Sequence, residues 1–238
     1  MSFVEKLEKR RIRKSSFNEN KYNLEYFKGI GSNYPDNGAY LDLNSDYRFR
    51  FIDMSQWISH EMGGFGCLVD VAGGPGNLGY WMKKVCPKIN VVHADYSMEA
   101  LLYSKNTYPH SMVRLSCDNL PFNSDFADGI LFADVLEHLE PEQAVKSIIE
   151  AKRVLNNDGQ IFINIPNRNT WTRKTFDEPS HLWIPTQMDM RQGLSEIGFR
   201  KIKISTRGFP WSSQLRNVLN SDVHLPVGGT SIFIQAFK

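Results

Sequence analysis

The stretch 68-LVDVAGGPGNLG-79 decides the fold of this chain, because it places a short apolar run directly before a glycine-rich turn. Apolar residues bounded by glycines, as in Cys67–Val71, are typical of a buried strand. The apolar spacing in Leu78–Val85 predicts a helix that ends before Pro87. A strand, a glycine turn and a helix in this order form a unit whose backbone can approach a bound ligand closely.

The same alternation of strands and helices continues on both sides of this unit. Further strands are predicted at 90–95, 112–116, 129–132 and 161–165, and helices at 49–60, 97–104 and 141–155. Strands that alternate with helices of this length imply a parallel sheet covered on both faces, so the predicted fold class is α/β. Residues 201–205 and 231–237 also favour strands, separated by an irregular stretch. We interpret the last of them as an antiparallel insertion into the sheet.

The charge of the chain is unevenly distributed. The 238 residues include 28 Lys and Arg against 26 Asp and Glu, a net charge of +2, which excludes binding of nucleic acid by bulk positive charge. Residues 1–14 hold six basic side chains and two acidic ones, a net charge of +4, so the remainder carries −2. We interpret this basic segment as an amphipathic helix with Phe3, Val4 and Leu7 on its apolar face. The alternative is an arm that binds nucleic acid or anionic lipid.

Cysteine use and hydropathy address the compartment. The cysteines Cys67, Cys86 and Cys117 form no C-x-x-C pair and indicate reduced thiols rather than a disulfide or zinc framework. The N-terminus lacks the apolar core of a signal peptide, and no uncharged apolar run approaches the roughly 20 residues that span a bilayer. We therefore expect a cytoplasmic protein without a membrane span. The length predicts one compact unit, with residues 1–60 as an N-terminal cap or lid segment and residues 61–238 as the ligand-binding domain.

Two templates fit the glycine turn. Gly74–Gly79 matches G-x-G-x-x-G, the fingerprint of dinucleotide-binding enzymes. Asp70–Gly76 matches Asp-x-Ala-x-Gly-x-Gly, which resembles the first motif of the class I S-adenosylmethionine-dependent methyltransferases. Asp95 follows at the end of the next predicted strand, where a carboxylate can accept both ribose hydroxyl groups of either cofactor. The turn and Asp95 therefore predict a nucleoside cofactor without choosing between the two.

Four later segments resemble the methyltransferase family in the expected order. They are CDNLPF at 117–122, DFADGI at 125–130, ADVLEHL at 133–139 and RVLNNDGQ at 153–160, and with the turn they lie within residues 68–167. The resemblance implies a Rossmann-like, doubly wound and mostly parallel sheet of seven strands with the last strand antiparallel, together with a helical N-terminal cap. It also implies S-adenosyl-L-methionine as cofactor and S-adenosyl-L-homocysteine as product. The implied cofactor-binding residues are Asp70, Ala72, Gly73, Gly74, Gly76, Asp95, Tyr96, Cys117, Asp118, Asn119, Ala133 and Asp134.

Two histidines are candidates for a catalytic general base. His138 lies four residues after Asp134, and this spacing predicts that both side chains share one face of a helix. His181 follows the fifth predicted strand in a loop that resembles that of the ubiquinone-pathway O-methyltransferases. The residues that carry this resemblance are His181, Thr186, Leu194, Gly198 and Phe199. For each histidine the alternative is a packing or hydrogen-bonding role.

A metal and an aromatic pocket are further possibilities at this site. Asp134, Glu137 and His138 resemble a divalent-metal cluster of the same branch, with ligands that suit Mg²⁺ or Zn²⁺. Most of the family uses this segment without a metal, so we predict no metal site. Aromatic residues on both sides of the motifs either wall a substrate pocket or belong to the core. They are Phe17, Tyr22, Tyr26, Phe27, Tyr34, Tyr40, Tyr47, Trp57, Trp171, Phe176, Trp183, Phe209 and Trp211.

The predicted function is transfer of a methyl group from S-adenosyl-L-methionine to an oxygen or nitrogen atom of a small-molecule metabolite. Residues 133–136 read Ala-Asp-Val-Leu rather than the Asn/Asp-Pro-Pro-aromatic sequence of enzymes that methylate base amino groups, so a nucleic-acid acceptor is not expected. One alternative is an NAD(P)-binding reductase that uses the same glycine turn. The other is a catalytically silent protein that binds the adenosyl cofactor.

Overall fold

A mostly parallel sheet forms the centre of the protein. The computed structural model describes residues 1–15, 24–28, 41–44, 48–107, 110–170, 174–207 and 229–238. Within these residues the strands are β1 (Gly66–Val71), β2 (Ile89–Asp95), β3 (Ser111–Arg114), β4 (Ala127–Ala133), β5 (Leu155–Pro166), β6 (Arg200–Arg207) and β7 (Ser231–Phe237). These seven described strands lie in the order β3-β2-β1-β4-β5-β7-β6, and β7 is antiparallel to both of its neighbours. The predicted Rossmann-like α/β fold with an antiparallel last strand is confirmed.

Helices flank this sheet. In the described part of the chain they are α1 (Phe3–Glu8), α2 (Leu24–Phe27), α3 (Arg48–Glu61), α4 (Asn77–Val85), α5 (Met98–Thr107), α6 (Pro141–Val154), α7 (Lys174–Asp177) and α8 (Gln187–Ile197), with a short 3-10 helix at Leu136–His138. Gly76 precedes α4 with a φ of 85°, a left-handed conformation that favours glycine. Pro141 begins α6, where the missing N–H of proline costs no helical hydrogen bond.

Helix α8 was not predicted from the sequence, although both of its ends carry recognisable signals. The Thr186 hydroxyl accepts the backbone N–H of Asp189, and the Asp189 carboxylate accepts the backbone N–H of Thr186, which is a capping box. Gly198 ends the helix with a φ of 93°. The irregular stretch predicted between β6 and β7 falls largely on residues 208–228, which lie outside the described residues.

Two apolar clusters hold the helices against opposite faces of the sheet. One contains Val69 of β1 and packs α1, α6 and α8, with Leu7 fully buried. The other contains Leu68, the preceding residue of β1, and packs α3 and α4 through Met54 and Met82. Burial of a side chain of this size contributes about 1.5–3 kcal/mol. Helix α3 therefore supports the sheet directly, and Phe3 and Leu7 on α1 confirm the amphipathic interpretation of the N-terminal segment.

The described part of the chain contains no helix that is both long and apolar enough to cross a membrane.

The strand order places a crevice beside β1. The sheet order runs from β1 to β2 and β3 on one side and to β4 and β5 on the other, and open α/β sheets bind ligands at the carboxyl ends of strands at such a switch point. Val71 pairs with both Ala94 of β2 and Phe132 of β4, so these three strands end level with one another. The segments that follow them are therefore brought to the same edge of the sheet.

Candidate active site

The glycine turn joins β1 to α4 at the carboxyl edge of the sheet. Ala72 and Gly74 have φ values of 56° and 58°, in the left-handed region. A Cβ atom on Gly73 would lie 2.5 Å from Oδ2 of Asp70 and 2.6 Å from the ring of His93. Both neighbours are buried and have no free space to move away, because the interior is close-packed. The backbone can pass this point only as glycine.

Asp95 ties the glycine turn to the end of β2. One of its carboxylate oxygens accepts the N–H of Gly74 at 2.8 Å, and the other accepts the N–H of Ser97 at 2.7 Å. Asp95 is buried, and this burial raises the pKa of its carboxyl group. Each carboxylate oxygen can accept a second hydrogen bond. This capacity is what the predicted binding of ribose hydroxyl groups requires.

Asp70 and His93 form a buried pair behind the turn. Oδ2 of Asp70 lies 3.8 Å from Nδ1 of His93, and neither atom has a hydrogen-bond partner among the described residues. Nε2 of His93 lies 3.0 Å from the carbonyl oxygen of Gly74. A buried carboxylate oxygen without a partner fits a cofactor that carries an ammonium group and a sulfonium charge. His93 was not named from the sequence, although a histidine within an apolar strand is a visible signal.

The segment predicted to meet the adenine ring lies beside the end of β2. The backbone N–H of Leu115, which precedes Ser116, donates to the carbonyl oxygen of Asp95 at 3.1 Å. The Ser116 hydroxyl donates to a carboxylate oxygen of Asp118 at 2.5 Å, and Ser116 also forms a bridge with Asn119. Cys117 is buried, which raises the pKa of its thiol to about 12. Its thiol is therefore protonated at neutral pH and serves as an apolar side chain.

Tyr96 and Ala133 complete the predicted cofactor residues. Tyr96 is 41% exposed, and the guanidinium carbon of Arg114 lies 5.4 Å from the centroid of its ring. Ala133 is the last residue of β4 and pairs with Asn164 of β5. The fold thus brings every predicted cofactor residue to the carboxyl edge of the sheet. Their contacts with the cofactor stay a prediction.

Asp134 is held by Arg50 rather than placed beside His138. Asp134 has a φ of 52°, and the following 3-10 helix spans only Leu136–His138, so the predicted helical face shared by Asp134 and His138 does not form. Arg50 on α3 forms an ion pair with Asp134 and also donates to Oδ1 of Asn164. Arg50 was not named from the sequence. A separation of 84 residues from Asp134 leaves no local pattern that could have shown the pairing.

Glu137, His138 and His181 form a compact group, here called the histidine cluster. The Nε2 atoms of His138 and His181 lie 4.0 and 3.9 Å from Oε1 of Glu137, and the two ring centroids are 5.1 Å apart. Nδ1 of His138 lies 3.1 Å from the carbonyl oxygen of Ser180. Because a carbonyl can only accept, this hydrogen bond places a proton on Nδ1 and, in the neutral ring, a lone pair on Nε2. The tertiary structure therefore brings both candidate bases together.

Glu137 has the most unusual environment in the histidine cluster. It is 0% exposed, and neither carboxylate oxygen has a hydrogen-bond partner among the described residues. Burial raises the pKa of Glu137 to about 8, although the positive charge of Arg50 acts in the opposite direction. At neutral pH the carboxyl group is therefore mostly protonated. A neutral carboxyl group beside two imidazoles can hold and pass a proton, which is the chemistry of general acid–base sites.

The residues of the metal resemblance do not form one site. Asp134 is engaged by Arg50, while Glu137 and His138 face His181 instead. The ligand atoms of Glu137, His138 and His181 lie within 4.8 Å of one another. The set that carried the metal resemblance is therefore not the set that the fold assembles.

Two of the aromatic residues proposed as pocket walls belong to the core or pack against it. Trp183 is fully buried, and its indole N–H donates to a backbone carbonyl at 2.8 Å. Trp57 packs edge-on against phenylalanines of β5 and β7. Phe27 of α2 does lie over the glycine turn, since a Cβ on Gly74 would be 3.0 Å from its ring. Tyr26 and Phe176 are half-buried, and the residues outside the described ranges are Phe17, Tyr22, Tyr34, Tyr40, Tyr47, Trp171, Phe209 and Trp211.

Comparison with known proteins agrees with this geometry. Residues 69–163 match a family model described as a methyltransferase domain. A search of curated proteins found no match. A SAM-dependent methyltransferase from Archaeoglobus fulgidus has a similar structure, with a TM-score of 0.62, 16% identity, and coverage of 81% of this chain and 97% of that chain.

Two further solved structures have the same fold. One is 1,6-didemethyltoxoflavin-N1-methyltransferase from Burkholderia thailandensis with bound 1,6-didemethyltoxoflavin and S-adenosylhomocysteine (TM-score 0.57, 15% identity, 79% of this chain and 78% of that chain). The other is the protein in complex with the Trm112 methyltransferase activator of Haloferax volcanii (TM-score 0.58, 12% identity, 81% of this chain and 93% of that chain).

The family match includes the glycine turn and the ADVLEHL segment, so it favours the methyltransferase template of the turn over the dinucleotide template. These findings indicate S-adenosyl-L-methionine as the cofactor. Residues 69–163 therefore match a methyltransferase domain, and the match together with the fold supports a class I S-adenosylmethionine-dependent methyltransferase.

Proposed function

We propose that the protein transfers the methyl group of S-adenosyl-L-methionine to an oxygen or nitrogen atom of a small-molecule metabolite, with oxygen favoured. The observation that carries this proposal is the histidine cluster directly after β4, at the same edge of the sheet as Asp70 and Asp95. A hydroxyl acceptor needs a base because its proton must leave as the O–CH₃ bond forms. The imidazoles of His138 and His181 supply that base beside the predicted cofactor site.

The cofactor supplies an activated methyl group when bound, and its S–CH₃ bond breaks as the acceptor bond forms. The residues of this chain then have two tasks. Asp70, Asp95 and the glycine turn orient the cofactor, and alignment of the reacting groups accounts for about 7–11 kcal/mol of the barrier in favourable cases. His138, at Nε2, or His181 takes the acceptor proton, which contributes about 10²–10⁴-fold.

A small acceptor is supported by the charge and by one structural neighbour. The chain outside its N-terminal segment has a net charge of −2, which does not favour a phosphate backbone. The neighbour from Burkholderia thailandensis is named as an N1-methyltransferase of 1,6-didemethyltoxoflavin, a small molecule. The predicted O-methyltransferase branch and a nitrogen acceptor therefore both belong in the test.

The test has two stages. Calorimetry with S-adenosylhomocysteine and, separately, with NADH measures the cofactor preference, and we expect binding of the first and not of the second. Incubation of a metabolite panel with enzyme and deuterium-labelled S-adenosylmethionine then reveals the acceptor by the mass of one labelled methyl group. Binding of NADH alone would contradict the proposed cofactor. Binding of S-adenosylhomocysteine without methylation of any panel member would favour the catalytically silent alternative.

A further inference from the structure

We propose that Arg13 is a positioning residue for His181. Arg13 belongs to residues Arg10–Arg13, here called the N-terminal strap. The inference rests on the proposed function in one respect, since that function gives His181 its chemical task. It concerns a segment outside the residues matched by the methyltransferase family model, which begin at residue 69.

The N-terminal strap pairs with the loop that carries His181. The N–H of Ile12 donates to the carbonyl oxygen of Leu182 at 2.8 Å, and the N–H of Ile184 donates to the carbonyl oxygen of Arg10 at 3.3 Å. Arg11 and Trp183 form an antiparallel bridge between these bonds. The residues directly after His181 therefore pair with the strap in a short antiparallel two-stranded ladder.

The Arg13 guanidinium holds the other side of the same loop. It donates to the carbonyl oxygens of Phe176 and Glu178, each at 2.6 Å, and to that of His181 at 3.3 Å. Three backbone acceptors on one side chain require several donors in a fixed plane, which a guanidinium has and an ammonium group lacks. Arg13 thus fixes the backbone of His181 itself and of the residues before it.

On its opposite side, this loop forms hydrogen bonds with the histidine cluster. The N–H of Leu182 donates to the carbonyl oxygen of Glu137 at 2.8 Å, and His138 bonds the carbonyl oxygen of Ser180 at 3.1 Å. The loop is therefore clamped between the strap and the 3-10 helix after β4. A shift of the loop changes the distances from the His181 ring to Glu137 and His138, and displacements near 1 Å in a site of this kind cost about 10²-fold in rate.

Other basic side chains of residues 1–14 pair with α8 or with the residue before α6. Lys6 pairs with Glu196, and Arg10 forms two hydrogen bonds with the Asp189 carboxylate that caps α8. Arg11 pairs with Glu140, the residue directly before α6. These intramolecular pairs account for much of the +4 charge of residues 1–14 and favour a docked segment over the arm for nucleic acid or lipid.

Arg10 offers a matched control for Arg13. Both arginines belong to the strap, and each loses one positive charge on substitution by alanine. The side-chain hydrogen bonds of Arg10 reach Asp189 of α8, whereas those of Arg13 reach the His181 loop. A change seen with Arg13→Ala and not with Arg10→Ala therefore reports the contact with the loop rather than the charge.

The experiment compares the full-length protein with Arg13→Ala, Arg13→Lys and Arg10→Ala. The ring signals of His181 are followed by nuclear magnetic resonance, assigned by their loss in His181→Gln, and amide exchange is measured over residues 176–184. With Arg13→Ala we expect displaced His181 signals and exchange that is faster by about tenfold or more, with little change in S-adenosylhomocysteine affinity. Arg13→Lys, which keeps the charge without the planar fork, should lie between wild type and alanine.

Unchanged His181 signals and exchange in folded Arg13→Ala, or an equal change in Arg10→Ala, would overturn the proposal. If Arg13→Ala does not fold, the same criteria apply to Arg13→Lys. Once an acceptor is known, kcat should fall by about ten- to a hundredfold with little change in the KM for the cofactor. The first two measurements need no acceptor, so failure to find methyl transfer would count against the proposed function and not against the positioning of His181.

Discussion

The cofactor half and the acceptor half of the candidate site are built in different ways. The cofactor half uses short segments directly after β1 to β4, and much of its geometry comes from backbone groups such as the N–H of Gly74 bound by Asp95. The acceptor half is assembled from side chains of distant segments, including Arg13, Arg50, Glu137 and His181. The first half depends on local turns, and the second depends on how distant parts of this chain pack together.

The largest expected effect on cofactor affinity is in the cofactor half. We predict that Gly73→Val weakens S-adenosylhomocysteine binding by at least about a hundredfold, on the order of 3 kcal/mol, because its side chain would overlap Asp70 and His93. Calorimetry measures the affinity, and circular dichroism verifies the fold. Gly79→Ala, inside α4, is the control because alanine favours a helix over glycine. Comparable affinity in wild type and Gly73→Val would show that the turn does not approach the cofactor.

Substitutions in the acceptor half should reduce the turnover rate rather than the cofactor affinity. His181→Ala and His138→Ala are each expected to reduce kcat by about 10²–10⁴-fold if the residue is the base, while S-adenosylhomocysteine affinity stays close to that of wild type. His60→Ala is the matched control, because His60 lies at the end of α3 and its side chain is mostly exposed. A loss confined to KM would show that the histidine binds the acceptor without removing its proton.

Glu137 links the acceptor half to stability. Its pKa of about 8 in the folded protein lies above its ordinary value of 4.5, so between these values the folded state holds a proton that the unfolded state has lost. Stability should therefore fall as the pH rises through this window, by up to about 1.4 kcal/mol per pH unit. Glu137→Gln removes this dependence and should be more stable than wild type near pH 8.

Urea unfolding between about pH 5 and pH 8 measures this difference in slope. Glu142→Gln is the control, because it makes the same chemical change on an exposed residue of α6. Parallel pH profiles for wild type and Glu137→Gln would contradict a protonated Glu137.

The smallest expected effect tests the adenine side of the cofactor half. Ser116→Ala removes the hydroxyl that orients Asp118 at 2.5 Å. A hydrogen bond of this kind is worth about 1.5–3 kcal/mol to a charged group, and partial replacement by water reduces the expected loss of cofactor affinity to about fivefold. Ser147→Ala, whose hydroxyl bonds the backbone of its own helix, is the control. No change in affinity would place Asp118 outside the adenine contact.

The two halves also differ in how much of their structure the sequence predicts. The glycine turn and the alternation of β1 to β5 with helices follow from apolar runs, glycines and proline at short range, and these predictions agree with the structure. The predicted bounds were wrong for β3, which ends at Arg114 rather than at residue 116, and for β5, which begins at Leu155 rather than at residue 161. The shared helical face of Asp134 and His138 was wrong, because β4 ends in a left-handed residue and a single 3-10 turn follows. A spacing of four residues places two side chains on one face only where the chain between them is helical.

The sequence by itself determined the parts of this protein that local chemistry controls: the α/β alternation, the glycine turn after β1 and the acidic residues at the strand ends. Only the tertiary structure decided that Arg50 pairs with Asp134, that His138 meets His181, and that Arg13 bonds the loop beside them. The physical reason is that backbone preferences act between near neighbours in the chain. Contacts between distant side chains depend on packing of the whole sheet and its helices.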